Sequence, residues 1–241
     1  MDLRLYYYTL RHLKLRQILH QIQHKIRLYP IRDKRFIKGS PIHKTGFILE
    51  LMPYIEKPNS YSGEKSFTFL NLKADFIGWE DKRQGALWLY NLNYMDFLLQ
   101  KKITFEDVSY WINLFIDTLP QNRSGMEPYP ISLRGINWIK CISHNQELIP
   151  ITEQQKWDSA LYSQYLSLYS NLEFHLLGNH LLENAYSLLW GGLYFREDKF
   201  YEKAVWLLTK ELNEQILPDG AHYELSPMYH EILLDLSLIH I

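Results

Sequence analysis

The sequence predicts an all-α fold of stacked helical hairpins, and three observations carry that expectation. From about Trp88 onward, apolar residues recur at helical spacing. Pro and Gly break this pattern into pieces joined by short loops, which suits hairpins laid side by side as a bundle or as an arc of an α/α toroid. Strand-like pieces are confined to the region before residue 76.

Residues 1–28 read as a basic amphipathic helix. Leu10, Leu13, Ile18, Ile22 and Ile26 fall near one face, with Arg11, Lys14, Arg16, Lys25 and Arg27 elsewhere. Such a helix would pack on the domain or dock on a membrane surface. Its basic residues are spread throughout instead of forming a short head before an apolar centre, so no signal peptide is visible and the compartment expected from sequence is the cytoplasm. No apolar run approaches the ~20 residues of a membrane span.

Residues 29–75 hold most of the early Pro, Gly and Ser, and "GFILEL" and "SFTFLNL" read as extended pieces in an irregular connection. The helical region, residues 76–236, then runs through "LWLYNLNYMDFLLQ", "TFEDVSYWINLFIDTL", "PISLRGINWIKCIS", "EQQKWDSALYSQYLSLYSNLEFHLL", "NHLLENAYSLLWGGLYF" and "YEKAVWLLTKELNEQIL". In the fifth piece Leu181, Leu182, Ala185, Leu188 and Leu189 form an apolar stripe, with polar residues expected on other faces. Asn179 and Glu183 stack four residues apart at its N-terminal end, as do His180 and Asn184. The helix carrying Val205, Leu208, Leu212 and Ile216 is ended by "LPDG", and the next begins at Ser226 and Pro227, a good N-cap followed by proline at the first helical position. Tyr229 is then the third helical residue, where the helix dipole would ease ionisation of a phenol.

Composition narrows the function classes. A formal net charge of -1 supplies no basic field of the kind nucleic-acid binders carry, and no nucleic-acid partner is expected. One cysteine, Cys141, excludes an internal disulfide and reads as a buried small residue. Aromatics make up 15% of the chain, enough to provide sugar-stacking rings as well as core.

"LLGNHLLENAYSLLWGGLYF" and "EQILPDGAHYELSPMYHEILLDL", with "LWLYNLNYMDFL" and "YPISLRGINWIKCI" upstream, resemble the N-terminal helical domain of the heparinase II/III family of polysaccharide lyases. The resemblance covers roughly residues 75 to 236. It implies an incomplete α/α toroid, normally followed by a β-sandwich domain that is absent from this chain, and a periplasmic setting. Carried over by position, it makes Asn179 the group that hydrogen-bonds a uronate carboxylate, with His180 beside it as neutraliser or base. Tyr229 matches the catalytic tyrosine, and Glu224 a supporting acid that orients the loop; His222, His230 and Glu183 are further supporting candidates. Trp88, Tyr90, Tyr94, Tyr129, Arg134 and Trp138 are candidate substrate-binding residues. Ala221 and Leu225 depart from the expected Gly and Arg. The implied partner is an acidic polysaccharide or oligosaccharide containing uronate, with no cofactor and no metal.

The residue types suit that chemistry. The C5 proton of a uronate becomes removable only when the adjacent carboxylate is neutralised and its aci-enolate is stabilised by donors such as Asn or protonated His. A base takes the proton, and an acid serves the departing O4. Two other readings stay open: an α/α-toroid glycoside hydrolase pairing Glu183 with Glu224 or Asp219, and a non-enzymatic glycan-binding or polysaccharide-assembly module. A metal site on His222, Glu224 and His230 matches no standard zinc spacing. The ending "LSLIHI" lacks a C-cap glycine or proline. One reading frame of it, CTG TCT CTT ATA CAC ATC, coincides with a transposon end used in sequencing adapters. Residues 237–241 are therefore expected to be a sequencing-artefact tail on a fragment that is inactive or very weak alone.

Overall fold

The computed structural model describes residues 18–22, 44–51, 57–227 and 231. Of the expected N-terminal helix, residues 18–22 are described and are helical. Tyr229, His230 and the 237–241 tail lie outside the described residues.

A short antiparallel hairpin, β1 (Ser66–Phe69) and β2 (Leu72–Asp75), precedes the main run of helices. Its two-residue turn, Leu70 and Asn71, has positive φ at both positions, as the right-handed strand twist requires of a tight hairpin. Alternation turns Phe67 and Phe69 inward and leaves Thr68 exposed. Phe67 meets Trp111 edge-on at 4.9 Å, and Phe69 meets Trp88 edge-on at 5.2 Å, so the hairpin seals one end of the helical core.

Six helices of nine residues or more follow among the described residues: α1 (Ala86–Tyr94), α2 (Phe105–Asp117), α3 (Pro128–His144), α4 (Ile151–Ser170), α5 (Gly178–Phe195) and α6 (Asp198–Gln215). α1 packs on α3 and α3 on α5, while α2 packs on α4; α4 lies against α3 and α5, and α6 against α5. Helices close together along the chain thus pack pairwise, and the fold is all-α.

Local chemistry explains the boundaries. α1 stops at Met95, which turns left-handed at φ 54, and the chain continues as a 3-10 turn, Asp96–Leu99. Thr104 caps α2 by accepting from the Asp107 backbone, and proline occupies the first position of α3. α3 and α5 are buried on nearly every face, including the polar residues Asn137, Ser143, Glu183, Asn184 and Ser187. The α5 residues Glu183, Asn184 and Ser187 lie off the leucine stripe, and beyond the first turn those faces are buried as well. In α6 the buried line runs through Ala204, Leu207, Leu208, Glu211 and Gln215, leaving Val205 exposed. The inner helices approach closely enough to need glycine. A Cβ on Gly191 would lie 2.6 Å from the Tyr165 ring, and one on Gly192 would lie 2.7 Å from the backbone nitrogen of Tyr201. Cys141 is buried, and burial pushes its thiol up to about 12.

Candidate active site at the start of α5

The chain between α4 and α5 is not helical, although its apolar spacing continues. α4 ends at Ser170, and residues 171–177 form a tight connection in which Leu176 and Leu177 both donate backbone hydrogen bonds to the Glu173 carbonyl, at 2.9 and 3.1 Å. Leu177, the N-cap, is held at φ 61 and ψ −160, a region that L residues rarely occupy and that costs roughly 1–3 kcal/mol. Burial of the Leu177 side chain and the two bonds to Glu173 hold it there. No side chain caps α5, so its first backbone N–H groups, beside Asn179 and His180, have no capping oxygen.

Glu173 organises what surrounds them. Its buried carboxylate accepts from the Asn184 amide at 3.0 Å and faces His180 Nδ1 at 3.3 Å. Asn184 in turn accepts from the Glu173 backbone at 3.0 Å and donates to Ser132 Oγ at 3.0 Å, tying the connection to α3. The hydrogen bond to Glu173 raises the His180 pKa above its ordinary value, outweighing the opposing effect of partial burial. Facing a carboxylate, Nδ1 is the nitrogen of His180 that donates, which leaves Nε2 for a second contact.

Tyr129 of α3 completes the cluster. Its ring lies 4.5 Å from that of His180, and its hydroxyl donates to Glu183 at 2.7 Å. Burial, then the nearby Glu183, pushes the Tyr129 pKa well above that of a free phenol, so Tyr129 keeps its proton at neutral pH. Tyr94 meets Tyr129 edge-on at 5.9 Å and is also raised, chiefly by burial. Tyr90 donates to Glu127 at 2.9 Å on the same side of α1.

Asn179 is half-buried on the first turn of α5 and makes no side-chain hydrogen bond to another described residue. The "LPDG" turn packs nearby. Ile216 pairs with His222 across it, Gly220 takes φ 86, and a Cβ on Gly178 would lie 3.4 Å from the Tyr223 hydroxyl. His222 is buried, with Nε2 3.3 Å from Gln215 Oε1 and Nδ1 accepting from the Glu224 backbone at 3.4 Å. This arrangement fixes its proton on Nε2 and gives it a structural task. Glu224 and Leu225 are exposed, Leu225 at φ 53, and Pro227 is helical as expected. Asp219 caps its own turn by accepting from Ala221.

Three expected sugar contacts are corrected. Trp88 and Trp138 are buried, their indoles donating to the Leu72 carbonyl at 3.0 Å and to the Met95 sulfur at 3.3 Å. Arg134 is fully buried and clamps the core: it donates to Gln164 at 2.8 Å, the Asn93 carbonyl at 2.9 Å and the Gly125 carbonyl at 2.8 Å. Helical spacing cannot distinguish an inner layer, buried on all sides, from one with an open face. Glu173 was missed because "NLEFHLL" continues the apolar rhythm of α4. Tyr223 carried no signal beyond its place in the motif. Among the described residues, no group of three His, Cys, Asp or Glu could hold a metal ion.

Residues 156–241 match the family described as Heparinase II/III N-terminus, a stretch that contains Glu173, Asn179, His180 and the "LPDG" turn. Over these residues the chain is similar to the heparinase II/III family. A heparin-sulfate lyase of Bacteroides stercoris is 34% identical over an 80-residue alignment that covers 28% of this chain and 12% of the relative. The chain thus matches only a small part of the length of that curated relative. No solved structure matches the chain.

Proposed function

We propose that the chain forms the helical part of a polysaccharide lyase that cleaves uronate-containing polysaccharide by β-elimination. The observation that carries this reading is the pairing of Asn179 and His180 on the uncapped first turn of α5, with His180 braced by buried Glu173. A helix N-terminus, an amide and an imidazolium are three donors suited to one carboxylate. Arg134 is committed to the core, and on this turn, among the described residues, His180 is the group able to carry a positive charge toward a uronate.

With the carboxylate neutralised, removal of the C5 proton gives an aci-enolate stabilised by the same donors. Collapse of that enolate forms the C4–C5 double bond and breaks the C4–O4 bond, and the departing oxygen takes a proton. Tyr229 is the proposed proton carrier, and a further His or Tyr from elsewhere in the protein would share the task. Tyr129 serves as a proton-holding donor that keeps the His180 ring in place. The engagement of Glu183 by Tyr129, and of Asp219 by its own turn, favours elimination over a hydrolase built on those carboxylates.

The product decides the matter. Incubation of the protein with uronate polysaccharides should generate an ultraviolet-absorbing unsaturated uronate, and Asn179→Ala should remove most of that signal. New reducing ends without absorbance would mean hydrolysis. Saccharide binding without either product would leave a binding module.

A further inference from the structure

Six of the seven tryptophans are buried to 4% exposure or less, but Trp206 on α6 is 50% exposed. Lys203 Nζ lies 4.3 Å from the Trp206 ring centroid and Lys210 Nζ lies 5.1 Å from it. The three residues are spaced i, i+3, i+7 and so form one stripe along the helix. Among the described residues no carboxylate pairs with either lysine; the described ion pairs of this region engage Lys199 and Lys44 with Glu197 instead. The Lys203 pKa is lowered, by burial first and by the Lys210 charge second, so the two ammoniums lie close enough to act on each other. Lys203 also lies 5.3 Å from the ring of Phe174, the residue after Glu173, which joins this surface to the α5 site.

We propose that Lys203, Trp206 and Lys210 form a second saccharide-binding site, in which a pyranose ring of an acidic oligosaccharide stacks on the indole and the ammoniums bind its acid groups. An exposed indole flanked by two cations provides an apolar platform and charge-assisted donors together. The lysines rest on the ring when no anion is bound, and their long stems let them swing to a carboxylate or sulfate. Seven helical residues separate them by about 10 Å along the axis, a span that lets two acid groups of one oligosaccharide be held at once. The choice of a saccharide among anions rests on the lyase reading of the α5 site, whereas the site itself rests on α6.

The test uses the exposure of this single indole. Acrylamide quenching of tryptophan emission should fall when a heparin-derived hexasaccharide is added to the full chain, and a neutral maltohexaose should give no shielding. Lys203→Gln/Lys210→Gln should weaken the shielding about ten-fold, by removing two charge-assisted contacts, with an unchanged circular dichroism spectrum. No shielding by the hexasaccharide, or equal shielding in the double variant, would overturn the proposal. So would shielding by phosphatidylserine vesicles without shielding by hexasaccharide, which would assign the stripe to a membrane surface. Shielding that persists in His180→Ala supports a site separate from α5, even if that variant abolishes elimination. Loss of shielding in His180→Ala would overturn the separate site.

Discussion

Replacing Arg134 by methionine tests whether this residue holds the fold or meets the substrate. Methionine keeps much of the aliphatic volume but removes the guanidinium. Gln164 Oε1 and the carbonyls of Asn93 and Gly125 then lose their donor inside the core. Each buried acceptor left unsatisfied costs about 1–3 kcal/mol, and the contact of the guanidinium over the Phe115 ring, at 4.3 Å, is lost as well. Part of this is offset, because burial penalises the charged guanidinium and pushes its pKa down to about 9. A net loss of about 2–4 kcal/mol is expected, a large share of the roughly 5–15 kcal/mol that stabilises a domain. Urea denaturation followed by tryptophan emission should show it, with the midpoint about 1–2 M lower for a typical denaturant slope. An unchanged midpoint together with lost saccharide binding would refute the argument and return Arg134 to the substrate surface.

Two further outcomes follow from the packing and the electrostatics. Gly192→Ala should destabilise by about 1–3 kcal/mol, read as a lower melting temperature, because the new Cβ would meet the Tyr201 backbone at 2.7 Å, where no flexible side chain can give way. The His180 pKa is raised in the folded state, so the Glu173 contact stabilises fully below the unfolded histidine value of about 6.5 and is lost as pH rises through the folded value. The difference in denaturation midpoint between the natural chain and Glu173→Gln should therefore shrink as pH rises from below about 6.5 into the alkaline range, and a constant difference would contradict the pairing.

The helices were legible in the sequence because apolar spacing and Pro or Gly breaks record them directly. The "LPDG" turn and the helical backbone at Pro227 followed from local chemistry of the same kind. What spacing could not reveal was layer. Trp88, Trp138 and Arg134 look like a sugar-binding set until α1 and α3 are packed, and then all three are inside. Nor did spacing reveal Glu173. The bend that brings its carboxylate under His180 depends on Leu177 adopting a backbone conformation that a leucine seldom takes and that only the surrounding packing enforces. Asn179 and His180 were identified through motif resemblance. Their periodicity alone would have allowed an ordinary solvated helix start.

The most direct test of the central claim is the titration of His180 itself. In NMR spectra of the labelled chain, assigned through His180→Asn, a uronate oligosaccharide should shift the His180 ring signals and raise its titration midpoint further, because a bound carboxylate favours the imidazolium. Asn179→Ala should weaken that response. Ring signals and a midpoint that stay unmoved at saturating saccharide would contradict the assignment of the α5 N-terminus as the place where the uronate carboxylate is neutralised.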